Sequence, residues 1–268
     1  MIAKFQDLTP RLASSLFLVG IGSFALWAGQ ISFVIFIGFV VGLMYYELST
    51  FPTTYQRPNK QKYTHPIVGA LGFFLVLGSC LQLLSDPQQS FFYLLLAFIV
   101  SISLLIVGVR SLSSACLFLA MIYSSLGLAL LYQVNVSWVI VVIIAVIGTD
   151  VGGYFAGKLI GGPKFIPKIS PNKTWAGVIG GWLLAIILGI ILAMYFTNLN
   201  VALTKLAGIL FFVSVASQIG DLSFSWLKRQ AGLSNSSNLL PGHGGFMDRF
   251  DGLTGAGLFV LILQYWEF

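Results

Sequence analysis

Near the C-terminus of a 268-residue chain that is 57% hydrophobic and only 8% charged stands the polar stretch PGHGGFMDRFDG, Pro241 to Gly252. It carries Asp248 and Asp251, two of the eight acidic residues, with Arg249, His243 and four glycines. Two more carboxylates lie inside apolar runs, Asp150 in AVIGTDVGGYFAGK and Asp221 in ASQIGDLSFSWLKR. A charge at the centre of a membrane helix costs about 2.5–3.5 kcal/mol on insertion scales, so such residues mark a functional pathway or a partner. Around these acids stand Lys158, Lys164, Lys168, Lys173, Lys228, Arg229 and Arg249. Carboxylates alone repel phosphate. With Mg²⁺ between them they bind it, while Lys and Arg neutralise the remaining oxygens. The interleaved acids and bases therefore suit a polyphosphate held with a divalent metal.

Each of these residues has a structural alternative. Asp150 and Asp221 could form ion pairs inside a helix bundle. Gly244 and Gly245 would let backbone N–H groups approach a phosphate, or would simply make a tight turn back into the bilayer. His243 would donate to a leaving phosphate or anchor the loop by a hydrogen bond. The other acids, Asp7, Glu47, Asp86 and Glu267, fall at ends or in short loops, where a solvated surface is expected.

The elements that must position these groups follow from hydropathy. A mean hydropathy of +0.94 and 23 phenylalanines leave too little polar surface for a water-soluble fold of this length. Runs long enough to cross a hydrocarbon core, which takes about 20 helical residues, recur along the chain. Leu12 to Tyr46 would make a helix of roughly 50 Å, too long for one crossing, and is expected to fold back near Gly29 and Gln30. The later spans are Pro66 to Leu84, Phe91 to Val109, Leu112 to Leu131, Trp138 to Ala156, Trp175 to Phe196, Ala207 to Leu227 and Gly252 to Trp266. The expectation is an all-α integral membrane protein of about nine transmembrane helices in a single polytopic domain, 1–268. Residues 1–145 form mostly scaffold spans, and 146–268 form a catalytic half with two polar loops.

Nine crossings place thirteen of the 14 Lys and Arg on one face and Lys205 alone on the other. Because positive charge is retained inside, the N-terminus is expected in the cytoplasm and the C-terminus outside. The net charge of +6 then describes a basic cytoplasmic surface, suited to anionic lipid head groups or to an anionic substrate. The first apolar run lacks a persuasive cleavage site and is expected to be retained. Cys80 and Cys116 have neither metal-ligand nor disulfide spacing and read as small apolar residues.

Two familiar patterns fail on their chemistry. Gly152, Gly157 and Lys158 have the spacing of a phosphate-binding Walker loop, but Leu159 stands where a hydroxyl must reach Mg²⁺, and no strand precedes it. GIGSFA, Gly20 to Ala25, imitates a dinucleotide fingerprint inside a span. Such glycines, like Gly153 and Gly157 or Gly177 and Gly181, are expected to permit close helix packing.

SQIGDLSFSWLKR followed by LLPGHGGFMDRFDG resembles the signature of the phosphatidate cytidylyltransferases, the integral membrane CDP-diacylglycerol synthases. Ser225, Lys228, Arg229, Pro241, His243, Gly244, Gly245, Asp248, Arg249 and Asp251 recur at its intervals. Asp150 to Gly181, including SPNKTW, is similar to that family's upstream block. Together the two blocks cover roughly the last 105 residues of the sequence. The resemblance implies a Mg²⁺-dependent reaction of CTP with phosphatidate, giving CDP-diacylglycerol and pyrophosphate. It maps metal-binding carboxylates to Asp221 and Asp248, and catalytic charges to those two with Lys228, Arg229 and Arg249. Substrate contacts would come from Asp150, Ser170, Lys173, Thr174, His243, Gly244, Gly245 and Asp251. CTP, phosphatidate and surrounding lipid are the implied partners, a homodimer is allowed, nucleic acid is not implied, and a bacterial inner membrane is the expected location.

One departure stands out. Where that family usually reads Lys-Asp after the Lys-Arg pair, this chain has Ser234 and Asn235. One cation and one anion are lost together, so local charge is unchanged, and Asn235 can still offer a carbonyl oxygen, a weaker Mg²⁺ ligand than a carboxylate. Two other readings stay open: a CTP-using relative acting on another lipid or an inactive paralogue, and a transporter whose intramembrane carboxylates line an ion path.

Overall fold

A computed structural model describes residues 8–51, 64–85, 112–196, 201–242 and 244–267. Eight helices follow in order: α1 (Leu8–Trp27), α2 (Gln30–Thr50), α3 (Thr64–Ser85), α4 (Leu112–Val134), α5 (Val136–Leu159), α6 (Trp175–Phe196), α7 (Leu203–Gln230) and α8 (Met247–Glu267). Among the described residues, five helices are long and apolar enough to cross a membrane: α2, most of α4, α5, α6 and α7. The protein is thus a multi-pass, predominantly helical membrane protein. The expected span Phe91 to Val109 lies outside the described residues.

Local chemistry explains the breaks. The fold-back expected near Gly29 and Gln30 is there: Gly29 takes φ 109°, which glycine tolerates without steric cost, and α2 begins at Gln30. Asn135 adopts an extended conformation and its side chain accepts from the Ser137 N–H at 2.8 Å, ending α4 and capping α5 with one residue between them. The polar segment after α5, read as loop from the sequence, contains an antiparallel hairpin of β1 (Lys164–Ile166) and β2 (Ser170–Thr174). At its end the Thr174 hydroxyl accepts from Gly177 N–H at 3.1 Å, which starts α6.

Small residues set the helix spacing, as the glycine pairs suggested. A Cβ on Gly152 of α5 would lie 2.5 Å from the carbonyl oxygen of Gly180 on α6, and one on Gly177 would lie 2.6 Å from that of Gly153. Without hydrophobic driving force inside a bilayer, such close backbone packing holds helices together. Gly255 and Gly257 do the same where α8 is clasped between α7 and α4. Polar ties join α7 to α6: the Gln218 amide on α7 donates to Val178 O at 3.2 Å and accepts from the Trp182 indole at 3.1 Å. On the outside of α6, Leu183, Ile187, Ile191 and Met194 are exposed, an apolar face that suits lipid.

Gly152→Leu is expected to destabilise the detergent-solubilised protein by about 1–3 kcal/mol through overpacking. Gly208→Ala, whose new methyl meets nothing within 4 Å, is expected to leave the melting temperature unchanged or raised. Thermal unfolding of the two variants side by side checks both.

Candidate active site

The helix ends bring the charges to one end of the bundle. Asp150 and Asp221 each lie nine residues before the C-terminus of their helices, α5 and α7, at matching depth. The hairpin folds over that end and delivers Lys173, whose Nζ donates to Asp221 Oδ2 at 2.8 Å. Two turns after Asp221, Lys228 points toward α8 and donates to Asp248 Oδ1 at 2.5 Å. Asp251 is one turn further along α8 and is buried. Its Oδ1 accepts from the Gly252 N–H at 2.8 Å.

These acids fall into two electrostatic groups. The charges of Asp150, Asp221 and Asp251 act on one another, with Lys173 and Arg249 acting on Asp150 and Lys228 on Asp251. Asp248 is better compensated. Its Oδ2 accepts from Ser236 N–H at 2.9 Å and Gly245 N–H at 3.0 Å, and it lies 3.0 Å from the Ser236 hydroxyl. Asp248 precedes the apolar run of α8. Burial alone would raise its carboxyl, but the hydrogen bond and charge of Lys228, with the N–H groups of Gly245 and Ser236, hold it below the usual carboxylate range.

The two loop glycines serve this packing. Gly244 takes φ +86°, and a Cβ there would meet Asp248 Oδ2 at 2.7 Å. A Cβ on Gly245 would collide with the Ser236 hydroxyl and with both carboxylate oxygens of Glu47. The Gly245 N–H is turned inward to Asp248, while Gly244 supplies its carbonyl to Leu240 N–H at 2.8 Å.

The remaining sequence candidates are spread around this centre. Thr174 is buried at the α6 cap, and Ser170 is half-buried at the start of β2. Exposed Arg229 donates through Nε to Ile169 O at 3.3 Å and through a terminal nitrogen to Leu233 O at 2.7 Å, tying α7 to the hairpin and to its own terminating turn. Arg249 is exposed beside a polar cavity of about 530 Å³, a size that takes a small-molecule ligand. Asn235 and Asn238 line the same cavity, so the substituted position faces the space next to the charges. His243 lies outside the described residues.

One residue overturns its sequence reading. Glu47, expected at a solvated surface, is fully buried near the end of α2. Its carboxylate accepts from Phe246 N–H and Met247 N–H, both at 2.8 Å, and from the Ser236 and Ser237 hydroxyls at 3.0 and 2.6 Å. The expected span stops at Tyr46, four residues before the end of α2 at Thr50, and so the rule that flags Asp150 and Asp221, a carboxylate within an apolar helix, does not reach Glu47. Ser236 had no sequence signal at all.

A family model, the Cytidylyltransferase family, matches residues 9–266, nearly the whole chain. The chain belongs to the cytidylyltransferase family. It is 33% identical over 262 residues to the phosphatidate cytidylyltransferase of Brucella suis, covering 94% of this chain and 91% of that one. Shorter matches reach 42% identity over 144 residues with the Mycobacterium bovis phosphatidate cytidylyltransferase, covering 52% of this chain and 46% of that one, and 45% over 118 residues with the Haemophilus influenzae one, covering 43% and 41%. The whole-length match extends the resemblance beyond the two C-terminal blocks into the first half, which contains Glu47.

As a cytidylyltransferase-family member the protein would need its acids to fit a nucleotide-bound divalent cation. Among the described residues no three acidic, histidine or cysteine side chains form a ready-made metal cage. Mg²⁺ does not require one, since it is usually held by one or two carboxylates together with substrate phosphates and water. Asp221, beside the negative charges of Asp150 and Asp251, has the excess anionic character that fits. Asp221 and Asp248 each hold an ammonium partner, Lys173 and Lys228. A metal at either acid would compete with that lysine, and a polyphosphate would offer both lysines another anionic partner.

Proposed function

We infer that this protein transfers the cytidylyl group of CTP to phosphatidate, forming CDP-diacylglycerol and pyrophosphate. The observation that carries this reading is the pairing of Lys173 with Asp221 and of Lys228 with Asp248 at one end of an apolar bundle, in a chain similar over its length to a phosphatidate cytidylyltransferase. A phosphate oxygen of the lipid attacks the α-phosphorus of CTP, and the bond to the departing pyrophosphate breaks. The lipid brings its own nucleophile, so the protein supplies position and charge.

In this reading Asp221 and Asp248 would hold Mg²⁺, which when bound would supply positive charge against the triphosphate and the departing pyrophosphate. Lys173 and Lys228 pass from carboxylate to phosphate oxygens, and Arg249, beside the cavity, faces the nucleotide. Arg229 fixes the hairpin that carries Lys173, with Ser170 and Thr174 in the same unit, and His243 contributes from the loop. Asp150 and Asp251 complete the acidic side of the site. The chain crosses a bacterial inner membrane nine times, with the N-terminus and the site on the cytoplasmic side, where thirteen of the basic residues gather. That arrangement lets CTP arrive from water while the acyl chains stay in lipid.

A second reading, transfer to a different lipid, is favoured by Asn235, which lines the cavity where the resembling family usually has Asp. A panel of phosphatidate, lysophosphatidate and polyprenyl phosphate, each with CTP and Mg²⁺, separates the two. Phosphatidate is expected to be turned over fastest. A preference for polyprenyl phosphate would establish the second reading.

A further inference from the structure

A carboxylate from the first half of the chain reaches the site. Glu47 is fully buried, and among the described residues its carboxylate is held by neutral donors. Its charge is spread over two hydroxyls and two backbone N–H groups at the start of α8. Those N–H groups are among the first of a helix, which have no partner within it and carry its positive dipole end. A buried carboxylate is thereby made tolerable, and the first turn of α8 is nailed to α2.

The anchor is joined directly to the acids of the site. The Ser236 hydroxyl lies 3.0 Å from Glu47 Oε2 and 3.0 Å from Asp248 Oδ2. A hydroxyl carries one hydrogen, so it donates to one of these oxygens at a time. Ser236 N–H meanwhile holds Asp248 at 2.9 Å. Gly245 admits both oxygens of Glu47 because it lacks a Cβ. Glu47, Ser236, Gly245 and Asp248 form one buried polar network that spans the helical scaffold and the acid paired with Lys228.

We propose that Glu47 is a positioning residue for the transferase site: through Ser236 and the N–H groups of Phe246 and Met247 it fixes the start of α8, and so the placement of Asp248 and Arg249. The proposal rests on the cytidylyltransferase reading for its kinetic consequence, but the anchoring itself does not. It assigns to the N-terminal half a part in the chemistry that Asp221 and Asp248 carry out.

The test uses full-length protein in detergent, with CTP, Mg²⁺ and phosphatidate, and four variants: Glu47→Ala, Glu47→Gln, Ser236→Ala and the double variant Glu47→Gln/Ser236→Ala. Misplacement of reacting groups by about 1 Å costs on the order of 10²-fold in rate. Glu47→Ala is accordingly expected to lower kcat about 10²-fold, with KM for CTP changed much less. Glu47→Gln, which keeps a carbonyl acceptor for part of the network, is expected to recover part of that loss. The double variant is expected to fall less than the product of the single losses, because both act through one network. Hydrogen exchange at Phe246 and Met247 amides should quicken in the Glu47 variants, while the α5–α6 contact stays protected. If Glu47→Ala fails to fold, Glu47→Gln and Ser236→Ala, which keep the volume at α2, carry the same readings. Folded variants with native kcat and native exchange at residues 246 and 247 would overturn the proposal. If the unaltered protein makes no CDP-diacylglycerol, the functional reading fails, while accelerated exchange would still support the anchor and unchanged exchange would still remove it.

Discussion

Asp221→Asn is expected to lower CTP- and phosphatidate-dependent pyrophosphate release by about 10²–10³-fold, the scale of removing one electrostatic contact to developing charge. The substitution keeps the side-chain shape and leaves an oxygen for Lys173. What it removes is one negative charge from a group in which Asp150, Asp221 and Asp251 act on each other. Relief of that repulsion offsets the weakened bond to Lys173, which is half-buried. The melting temperature is therefore expected to stay near that of the native protein while activity is lost. Function paired with local electrostatic strain is a common arrangement at active sites. Steady-state kinetics and a melting curve on one preparation check both halves. A variant that loses fold and activity together would assign Asp221 a structural role instead.

Lys228→Met is expected to cost both. The side chains of Lys228 and Asp248 are 7% and 11% exposed, so deleting the ammonium leaves a buried carboxylate without its counter-charge. Breaking such a pair costs about 3–5 kcal/mol. Three contacts to Ser236 and Gly245 remain, but all come from neutral groups. The pH dependence has a definite sign. In the native protein Asp248 is held below its usual range, so its stabilising contribution is present above the unfolded value of about 3.9 and is lost as pH falls through the lower folded value. Without Lys228 that depression is largely removed, so the stability gap between native and Lys228→Met proteins should narrow as pH falls toward 4 and below. Lys228→Met/Asp248→Asn should regain stability at neutral pH and stay inactive. Unfolding of the three proteins from pH 7 to about pH 2 measures each point.

Hydropathy and charge made much of this protein legible in its sequence. Apolar runs located the helices because in a bilayer every backbone polar group must be satisfied within the segment, and Gly29 marked the fold-back. Asp150 and Asp221 stood out because carboxylates in apolar helices are expensive. The hairpin at Lys164 to Thr174 was not legible: its strands are three and five residues long, too short for alternation to register. Glu47 was missed because the span boundary was placed at Tyr46, four residues before the helix ends at Thr50, where terminal assignments are least secure. Ser236 could not be found because its importance lies in geometry, 3.0 Å from two carboxylates that are 201 residues apart in sequence. The glycines of PGHGG illustrate a subtler gap. Their composition suggested a phosphate cradle or a tight turn; Gly244 and Gly245 also make room for Asp248 and Glu47, a requirement that only packing reveals.

The central claim is that this chain, with Ser234 and Asn235 in place, is a working phosphatidate cytidylyltransferase. The most direct measurement is formation of CDP-diacylglycerol, with equal release of pyrophosphate, by the purified protein given CTP, Mg²⁺ and phosphatidate, beside the Asn235→Asp variant. Product from the native protein that requires all three components is expected, with Asn235→Asp changing the rate by less than about tenfold, or 1.4 kcal/mol. No product from the native protein together with turnover by Asn235→Asp would contradict it and identify a catalyst that has lapsed at that position.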